Sequence, residues 1–266
     1  MTAIASTPLK FDIGRVLRRT LGLIARNWLV FGLLTLVLAV LPQIGLQLAA
    51  GRLLVDGAGS RLAIATPQFW VTSIGGYAIA AVLSAALVQG ALADLAGRKA
   101  RFGECVATSF PMWPSAAVVA VAVNLAMAFG TVFLVVPGLM IGMAWMISVQ
   151  VLVVEHTGIR KSFGRSADLT RDRRGALFGL TLIYIAVALV LVLLFRVVGD
   201  AITGALAHRI EPLRLAQLTG ASRLVASSCR TALLEAVYSV GLAAIYVELR
   251  TLREGVVPET LASVFD

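Results

Sequence analysis

Six long apolar stretches constrain this chain more than any other feature of its sequence. A helix that crosses a membrane needs about 20 mostly apolar residues, because each residue adds about 1.5 Å and the hydrocarbon layer is about 30 Å thick. The stretches that meet this requirement are residues 28–50, 69–93, 114–135, 137–154, 176–198 and 224–247. We therefore predict an all-α integral membrane protein with six transmembrane helices, in a single domain that spans residues 1–266.

Charged residues are too few for an ordinary water-soluble domain. They make up 14% of the chain, against roughly 25% in soluble globular domains. With 59% hydrophobic residues the chain is too apolar for intrinsic disorder, and two cysteines are too few for a disulfide scaffold. The formal net charge of +9 indicates anionic membrane lipids, or a membrane protein, as partners rather than nucleic acid.

Lysine and arginine are distributed unevenly between the two ends of the predicted spans. Odd spans begin, and even spans end, at segments that hold 16 of the 23 basic residues. By the positive-inside rule these segments face the cytoplasm, and both termini lie there with them. The apolar run of the first span is too long for the core of a signal peptide, so we interpret it as an uncleaved anchor.

A similar basic segment precedes each outward-going span. We interpret residues 9–27, 98–113 and 160–174 as interfacial amphipathic elbow helices, each followed by a membrane hairpin. The apolar face of the first elbow consists of Ile13, Val16, Leu17, Thr20, Leu21 and Ile24. The candidate lipid-headgroup contacts are Arg15, Arg18, Arg19, Arg98, Lys99, Arg101, Arg171, Arg173 and Arg174. The alternative is that these charges only fix the topology.

Glu235 is the most informative single residue, because it falls about midway along the sixth span. An ionisable group at that depth is costly and needs a partner. Arg230 is five residues away, on a different side of the helix, so Glu235 is expected to face the bundle interior. Its role is then either a proton or substrate contact or a structural hydrogen bond to Tyr184, Asn124 or Gln150. The candidate intramembrane polar site is Glu235, Arg230, Asn124 and Gln150.

Two rows of small residues predict close helix contacts. Gly138 and Gly142 form a GxxxG pattern at the start of the fourth span, and Gly76, Ala80 and Ser84 recur every four residues in the second. Such rows let helix backbones approach one another. We favour packing within the chain over a homodimer contact, because a six-helix bundle needs close internal contacts; the oligomeric state is left open.

A search for catalytic patterns is negative. The sequence contains no GxSxG nucleophile elbow, no HExxH zinc helix and no GxxxxGK[ST] phosphate loop. His156 and His208 are predicted on opposite sides of the membrane, and Cys105 and Cys229 at different depths, so neither a metal cluster nor a disulfide is expected. We predict no catalytic residues, no metal site and no cofactor.

Three cytoplasmic motifs carry a resemblance to a known family. They are Glu155-His-Thr-Gly158 followed by Arg165-Ser166-Ala-Asp-Leu169-Thr170-Arg171, the N-terminal Phe11-x-x-Gly14-x-Val16-Leu17, and the closing Tyr246-Val-Glu-Leu249-Arg250-Thr-Leu-Arg253-Glu254-Gly255. Together they resemble the bacterial YciC-like family, also described as the glycerophosphoryl diester phosphodiesterase membrane domain. The resemblance implies a multi-pass protein of the bacterial cytoplasmic (inner) membrane. The phosphodiesterase activity belongs to members with a fused catalytic domain, so we do not expect it here.

Three classes of function follow from these observations. The first is a non-enzymatic membrane protein that engages anionic lipid or a partner protein through its basic cytoplasmic elbows. The alternative is a transporter, channel or lipid-moving protein with Glu235 in the pathway, and a membrane enzyme that acts on lipid comes third. A cavity in which several polar groups converge on Glu235 would favour transport, whereas sealed packing would favour the first class.

Overall fold

The computed structural model describes residues 11–53, 67–207 and 212–254, and the regular secondary structure in these ranges is helical. The side chains of residues 52, 53, 133, 135, 206, 207 and 212–220 are outside this description. Within the described residues, six helical segments are long and apolar enough to cross a membrane: Trp28–Gly51, Pro67–Leu95, Phe102–Val132, Val136–Glu155, Ile159–Ala205 and Ala221–Glu254. The prediction of an all-α, multi-pass membrane protein is confirmed.

The first hairpin follows a separate amphipathic helix, α1 (Ile13–Arg26). The Asp12 carboxylate caps α1 by accepting a hydrogen bond of 3.2 Å from the Arg15 N–H. The first span is interrupted, because α2 (Trp28–Thr35) and α3 (Leu41–Leu53) are joined by a π-helical turn, Leu36–Val40. The return span is the single helix α4 (Pro67–Leu95). The first two residues of the predicted elbow 9–27 lie outside the described residues.

The second hairpin has almost no connecting loop. It begins with α5 (Phe102–Ser109) and a 3₁₀ turn, Phe110–Met112, and continues through α6 (Trp113–Phe133), α7 (Val135–Trp145) and α8 (Ser148–Glu155). Only Leu134, with an extended backbone, separates α6 from α7. The sequence predicts the break between the third and fourth spans at Val136, which is wrong. Pro137 lies in the first turn of α7, where its missing N–H costs no internal hydrogen bond. The fourth span is itself broken between Trp145 and Ser148.

The third hairpin contains the two longest described helices. After α9 (Ile159–Thr170) and a 3₁₀ turn, Arg171–Arg173, α10 (Arg174–Ala207) has 34 residues and α11 (Pro212–Glu254) has 43. Their environments differ, since 61% of the most apolar window of the last segment is buried but only 11% of that in the segment containing α10. We conclude that α11 lies inside the bundle and α10 lies at its edge.

Close helix contacts form within the chain at the glycine pattern of α7. A Cβ atom on Gly142 would lie 2.7 Å from the Met127 sulfur of α6, and one on Gly138 would lie 2.9 Å from Thr131 Cα. The atom next to Gly138 belongs to the backbone, so glycine is required there for α6 and α7 to pack this closely, whereas the flexible Met127 side chain beside Gly142 could move. These contacts lie between consecutive helices of one chain.

The apolar face of α1 packs against the protein rather than standing free. Val16 and Leu23 are buried in the main core, which also includes residues of α11 such as Tyr246. Leu21, which was assigned to this face, is 66% exposed. The face is therefore rotated slightly from the predicted one, because contact with α11 selects the residues that are buried. Whether α1, α5 and α9 lie in the membrane interface stays a prediction.

Candidate functional site

Two cavities meet at Glu235. The outer cavity, of about 250 Å³, lies toward the helix ends that the charge pattern places outside, and is lined by residues that include Gln43, Thr72 and Glu235. The inner cavity, of about 350 Å³, extends from Glu235 toward Ser84 and Gln150, nearer the predicted cytoplasmic ends. Glu235 is one of three residues that line both. The carboxylate thus lies where the two cavities adjoin.

The outer cavity owes part of its wall to the irregular first span. Ala39 belongs to the π-helical turn and Gln43 to the first turn of α3, and both face residues of α4 and α11 across the cavity. A π-helical turn inserts an extra residue and shifts the side chains that follow it. The interruption therefore sets which face of α3 is presented to Glu235.

The inner cavity is surrounded by α4, α6, α7, α8, α10 and α11. Three of the four residues predicted for the intramembrane polar site, Glu235, Asn124 and Gln150, line it. Arg230 lines neither cavity, and no described ion pair joins it to Glu235. Polar lining residues that the sequence did not single out include Tyr77, Tyr238, Ser239 and Thr181. A mostly apolar cavity with a few convergent polar groups is the usual form of a small-molecule site.

Glu235 itself has no hydrogen-bond or ion-pair partner among the described residues. It is half-buried, and the donors proposed for a structural hydrogen bond are directed elsewhere. Tyr184 Oη donates to the Leu234 carbonyl at 3.3 Å. Asn124 Nδ2 donates to the Ala120 carbonyl at 2.9 Å, and Gln150 Nε2 to Ser84 Oγ at 3.3 Å. The structural alternative for Glu235 is therefore not the arrangement seen.

The row of small residues in α4 keeps this region open. Gly76 lines the outer cavity, Ser84 lines the inner one, and Ala80 lines both. A Cβ atom on Gly76 would meet only the Gln43 side chain, at 3.9 Å. The row was predicted to bring two helices into close contact: Ser84 is buried and accepts a hydrogen bond from Gln150 of α8, while Gly76 and Ala80 border the space beside Glu235.

A hydrogen-bonded network closes the predicted cytoplasmic end of the bundle. Tyr246 Oη donates to Glu155 at 3.0 Å and accepts from Arg250 Nη1 at 3.1 Å. Arg165 Nε donates to Glu155 at 3.2 Å, and its Nη2 pairs with Glu254. These five residues all come from the motifs that carry the family resemblance. They join the ends of α8, α9 and α11, and we call them the cytoplasmic network.

Two hydroxyl groups of α9 support the break in the fourth span. Where α7 stops at Trp145, the Ala144 carbonyl accepts hydrogen bonds from Ser166 Oγ at 2.8 Å and Thr170 Oγ1 at 3.3 Å. A carbonyl that loses its helical partner inside a protein needs another donor. Ser166 and Thr170 are completely buried, so this pair has a structural role.

Part of the predicted lipid-contact set is engaged within the protein. Arg15 and Arg19 pair with Glu248 of α11 at 3.1 and 3.2 Å, and Arg101 pairs with Glu104 at 3.4 Å. Arg173 and Arg174 are half-buried. Exposed members outside any described ion pair are Arg18, Arg98, Lys99 and Arg171.

A further ion pair joins the end of α1 to the end of α4. Arg26 binds Asp94 through two nitrogens, and Asn27 Nδ2 donates to the same carboxylate at 2.9 Å. The hydrogen bond to Asp94, and then its charge, raise the pKa of Arg26 above its ordinary value. This contact fixes the end of α1 relative to α4.

Glu248 is the main buried charged residue that the sequence analysis did not single out. It is 2% exposed and accepts from α1 across a sequence separation of 229 residues. The only signal was a charge inside the otherwise apolar run before Leu249, and the neighbouring Arg250 suggested an ordinary basic end of a span.

Comparisons with known proteins give no relative. No protein-family model matches the chain, no curated protein matches its sequence, and no solved structure matches its fold. Across the described ranges, no group of three or more His, Cys, Asp and Glu side chains could hold a metal ion. The cavities and their lining are therefore the features of the molecule that bear on its function.

Proposed function

We propose that this protein is a transporter whose substrate passes through the two cavities and contacts Glu235 between them. The observation that carries the proposal is the position of Glu235, an acid without a described partner, at the junction of the outer and inner cavities. Ionisable residues placed this deep in a helical bundle are costly, and they commonly mark a substrate or ion pathway.

The packing at the predicted cytoplasmic end of the bundle supports a closed state on that side. Beyond the inner cavity, the cytoplasmic halves of α8 and α11 are tightly packed, with Val151 and Ala243 fully buried. The cytoplasmic network lies beyond that packing. We infer an arrangement that is closed toward the cytoplasm, with the network as the closure.

The proposal also includes the membrane in which the protein is located and its topology there. The distribution of basic residues supports a topology with both termini in the cytoplasm. The motifs around Glu155, Arg165 and Tyr246 support membership of the YciC-like family and hence a bacterial inner membrane. We assign the protein no catalytic step, and the proposed activity is movement of a substrate.

Flux measurements in proteoliposomes test the proposal. Liposomes with the full chain would be assayed with a panel of cationic, anionic, zwitterionic and neutral small molecules and with labelled lipids. We expect flux of at least one compound with the wild type. Glu235→Gln should reduce that flux at least tenfold, because Gln preserves the size of the side chain but not its charge.

The matched control is Glu104→Gln. Glu104 is 63% exposed and pairs only with the exposed Arg101, so its loss should leave the flux unchanged. Absence of flux for every class in the panel, or equal flux with Glu235→Gln, would contradict the proposal.

A second candidate function is attachment of the cytoplasmic face to anionic lipid. The observation that favours it is the exposure of Arg18, Arg98, Lys99 and Arg171 near the predicted cytoplasmic ends. Each such cation contributes about 1 kcal/mol at an anionic surface. Retention of anionic lipid by the purified chain should therefore fall about fivefold with Arg18→Gln. It should fall less with Arg15→Gln, since Arg15 already pairs with Glu248.

A further inference from the structure

We propose that the substrate of the two cavities is an organic cation, an amine or quaternary ammonium compound with an apolar body. This inference rests on the proposed function and specifies the class of molecule that Glu235 recognises. Three properties of the lining carry it: its charge, its aromatic residues and its size.

The charge of the lining has a single sign. Among the described residues, Glu235 is the only carboxylate that lines either cavity, and none of the described lining residues is Lys, Arg or His. Coulomb interactions strengthen as water is excluded, so an anionic ligand here would meet an uncompensated repulsion. A cation would supply the partner that the described residues do not give to Glu235. The charge pattern therefore selects against anions and for cations.

Aromatic rings line the inner cavity together with the Glu235 side chain. Tyr184 and Tyr238 both line the inner cavity with Glu235, and their ring centroids are 4.8 Å apart. The same cavity is also lined by Tyr77, Trp145 and Phe178. Aromatic faces attract cations, and clusters of such rings bind quaternary ammonium groups. An acid beside several rings therefore provides both a counter-charge and a surface for a bulky cation.

The volume of the cavity and its flexible lining favour an organic cation over a metal ion. Calcium requires about six to eight oxygen ligands, whereas the lining offers one carboxylate. The inner cavity, at about 350 Å³, falls within the range of small-molecule sites. Met127, Met143 and Met146 contribute flexible thioether side chains to it, which adapt to apolar shapes. The site thus fits an amphipathic molecule rather than a bare ion.

Tetraphenylphosphonium and tetraphenylborate form a suitable pair of probes, because they have nearly the same shape and opposite charges. Binding to the full chain in nanodiscs of neutral lipid would be measured by equilibrium dialysis, with binding to empty nanodiscs subtracted. We expect the phosphonium to bind at least tenfold more tightly than the borate. Glu235→Gln should abolish this preference, and Glu104→Gln should leave it unchanged.

A second variant covers the case in which Glu235→Gln does not fold. Ala80→Phe retains the carboxylate and places a ring where the two cavities meet, so it should weaken phosphonium binding at least tenfold. Equal binding of the two probes, tighter binding of the borate, or absence of phosphonium binding would overturn the inference. So would phosphonium binding that neither variant changes.

Flux measurements with the panel of compounds distinguish a wrong substrate class from a wrong proposed function. If an anionic or neutral compound moves in a Glu235-dependent way while cations do not, the protein is a transporter and only the substrate class is wrong. If no class of compound moves, both proposals fail together.

Discussion

Glu248 of α11 accepts a hydrogen bond of 3.2 Å from Arg19 of α1, and the carboxylate is 2% exposed. Arg15 approaches the other oxygen of the same carboxylate at 3.1 Å. This contact joins the first described helix of the chain to the last. Because Glu248 is buried and its partners reach the surface, the acid depends on the arginines more than they depend on it.

The first prediction concerns this asymmetry. Replacing both Arg15 and Arg19 with Gln leaves Glu248 buried without a counter-charge, and should destabilise the protein by about 3 kcal/mol. Glu248→Gln removes the buried charge and should cost less, about 1 kcal/mol. The measurement is thermal unfolding of the purified variants in detergent. Combining all three substitutions should cost less than the sum of the separate effects, since they share one interaction.

Strictly additive losses would show that these groups do not interact in the folded protein. Arg18→Gln serves as the control, because Arg18 Nε donates only to the Gly14 carbonyl of its own helix, and it should change stability by less than about 0.5 kcal/mol.

The second prediction concerns the cytoplasmic network. Tyr246→Phe retains the ring but loses two hydrogen bonds, those to Glu155 and from Arg250. Each bond contributes about 1 kcal/mol, so stability should fall by about 2 kcal/mol. If the network is the closure, the same change should also raise passive flux through the wild-type pathway. Thermal unfolding and proteoliposome flux measure the two effects.

Thr108→Val is the matched control for Tyr246→Phe, since Thr108 donates only to carbonyls of its own helix and is exposed. Reduced stability of Tyr246→Phe without any rise in flux would assign the network a purely structural role. Unchanged stability would contradict the hydrogen bonds themselves.

The third prediction concerns the support of the fourth span. Ser166→Ala removes the shorter hydrogen bond to the Ala144 carbonyl, and should lower stability by about 1–3 kcal/mol because that carbonyl is buried. Ser162→Ala is the control: Ser162 is also completely buried in α9, but its hydroxyl donates to Ile159 of the same helix. Thermal unfolding should show a clearly larger loss for Ser166→Ala, and equal losses would refute the supporting role.

The sequence predicted the spans well because crossing a membrane imposes a length and an apolarity that are visible locally. Glu235 could be singled out for the same reason, since a charge in an apolar run is conspicuous. The cavities could not be predicted, because they depend on how six separate helices pack. The row containing Ala80 shows this: small residues can bring helices together or leave a space between them, and the pattern is identical.

The irregular parts of the helices are the second feature that could not be predicted from the sequence. The break after Trp145 and the π-helical turn at Leu36–Val40 occur in apolar runs that read as continuous spans. The break after Trp145 is stabilised by a contact from a distant segment, that of Ser166 with Ala144. Hydroxyl groups that bind a carbonyl 22 and 26 residues earlier have no local signature of that role. Glu248 likewise could not be recognised from the sequence as the partner of Arg15 and Arg19.

The last prediction concerns the space beside Glu235. Ala80 is a half-buried residue that lines both cavities, so a phenylalanine there would occupy their junction without removing any polar group. Ala80→Phe should reduce flux at least tenfold while the protein still folds, because existing empty volume accommodates the ring. The control is Ile74→Phe on the same helix, since Ile74 is 44% exposed and lines neither cavity. Flux and thermal unfolding would be measured for both variants. If Ala80→Phe folds and transports as the wild type does, the substrate does not pass between the two cavities.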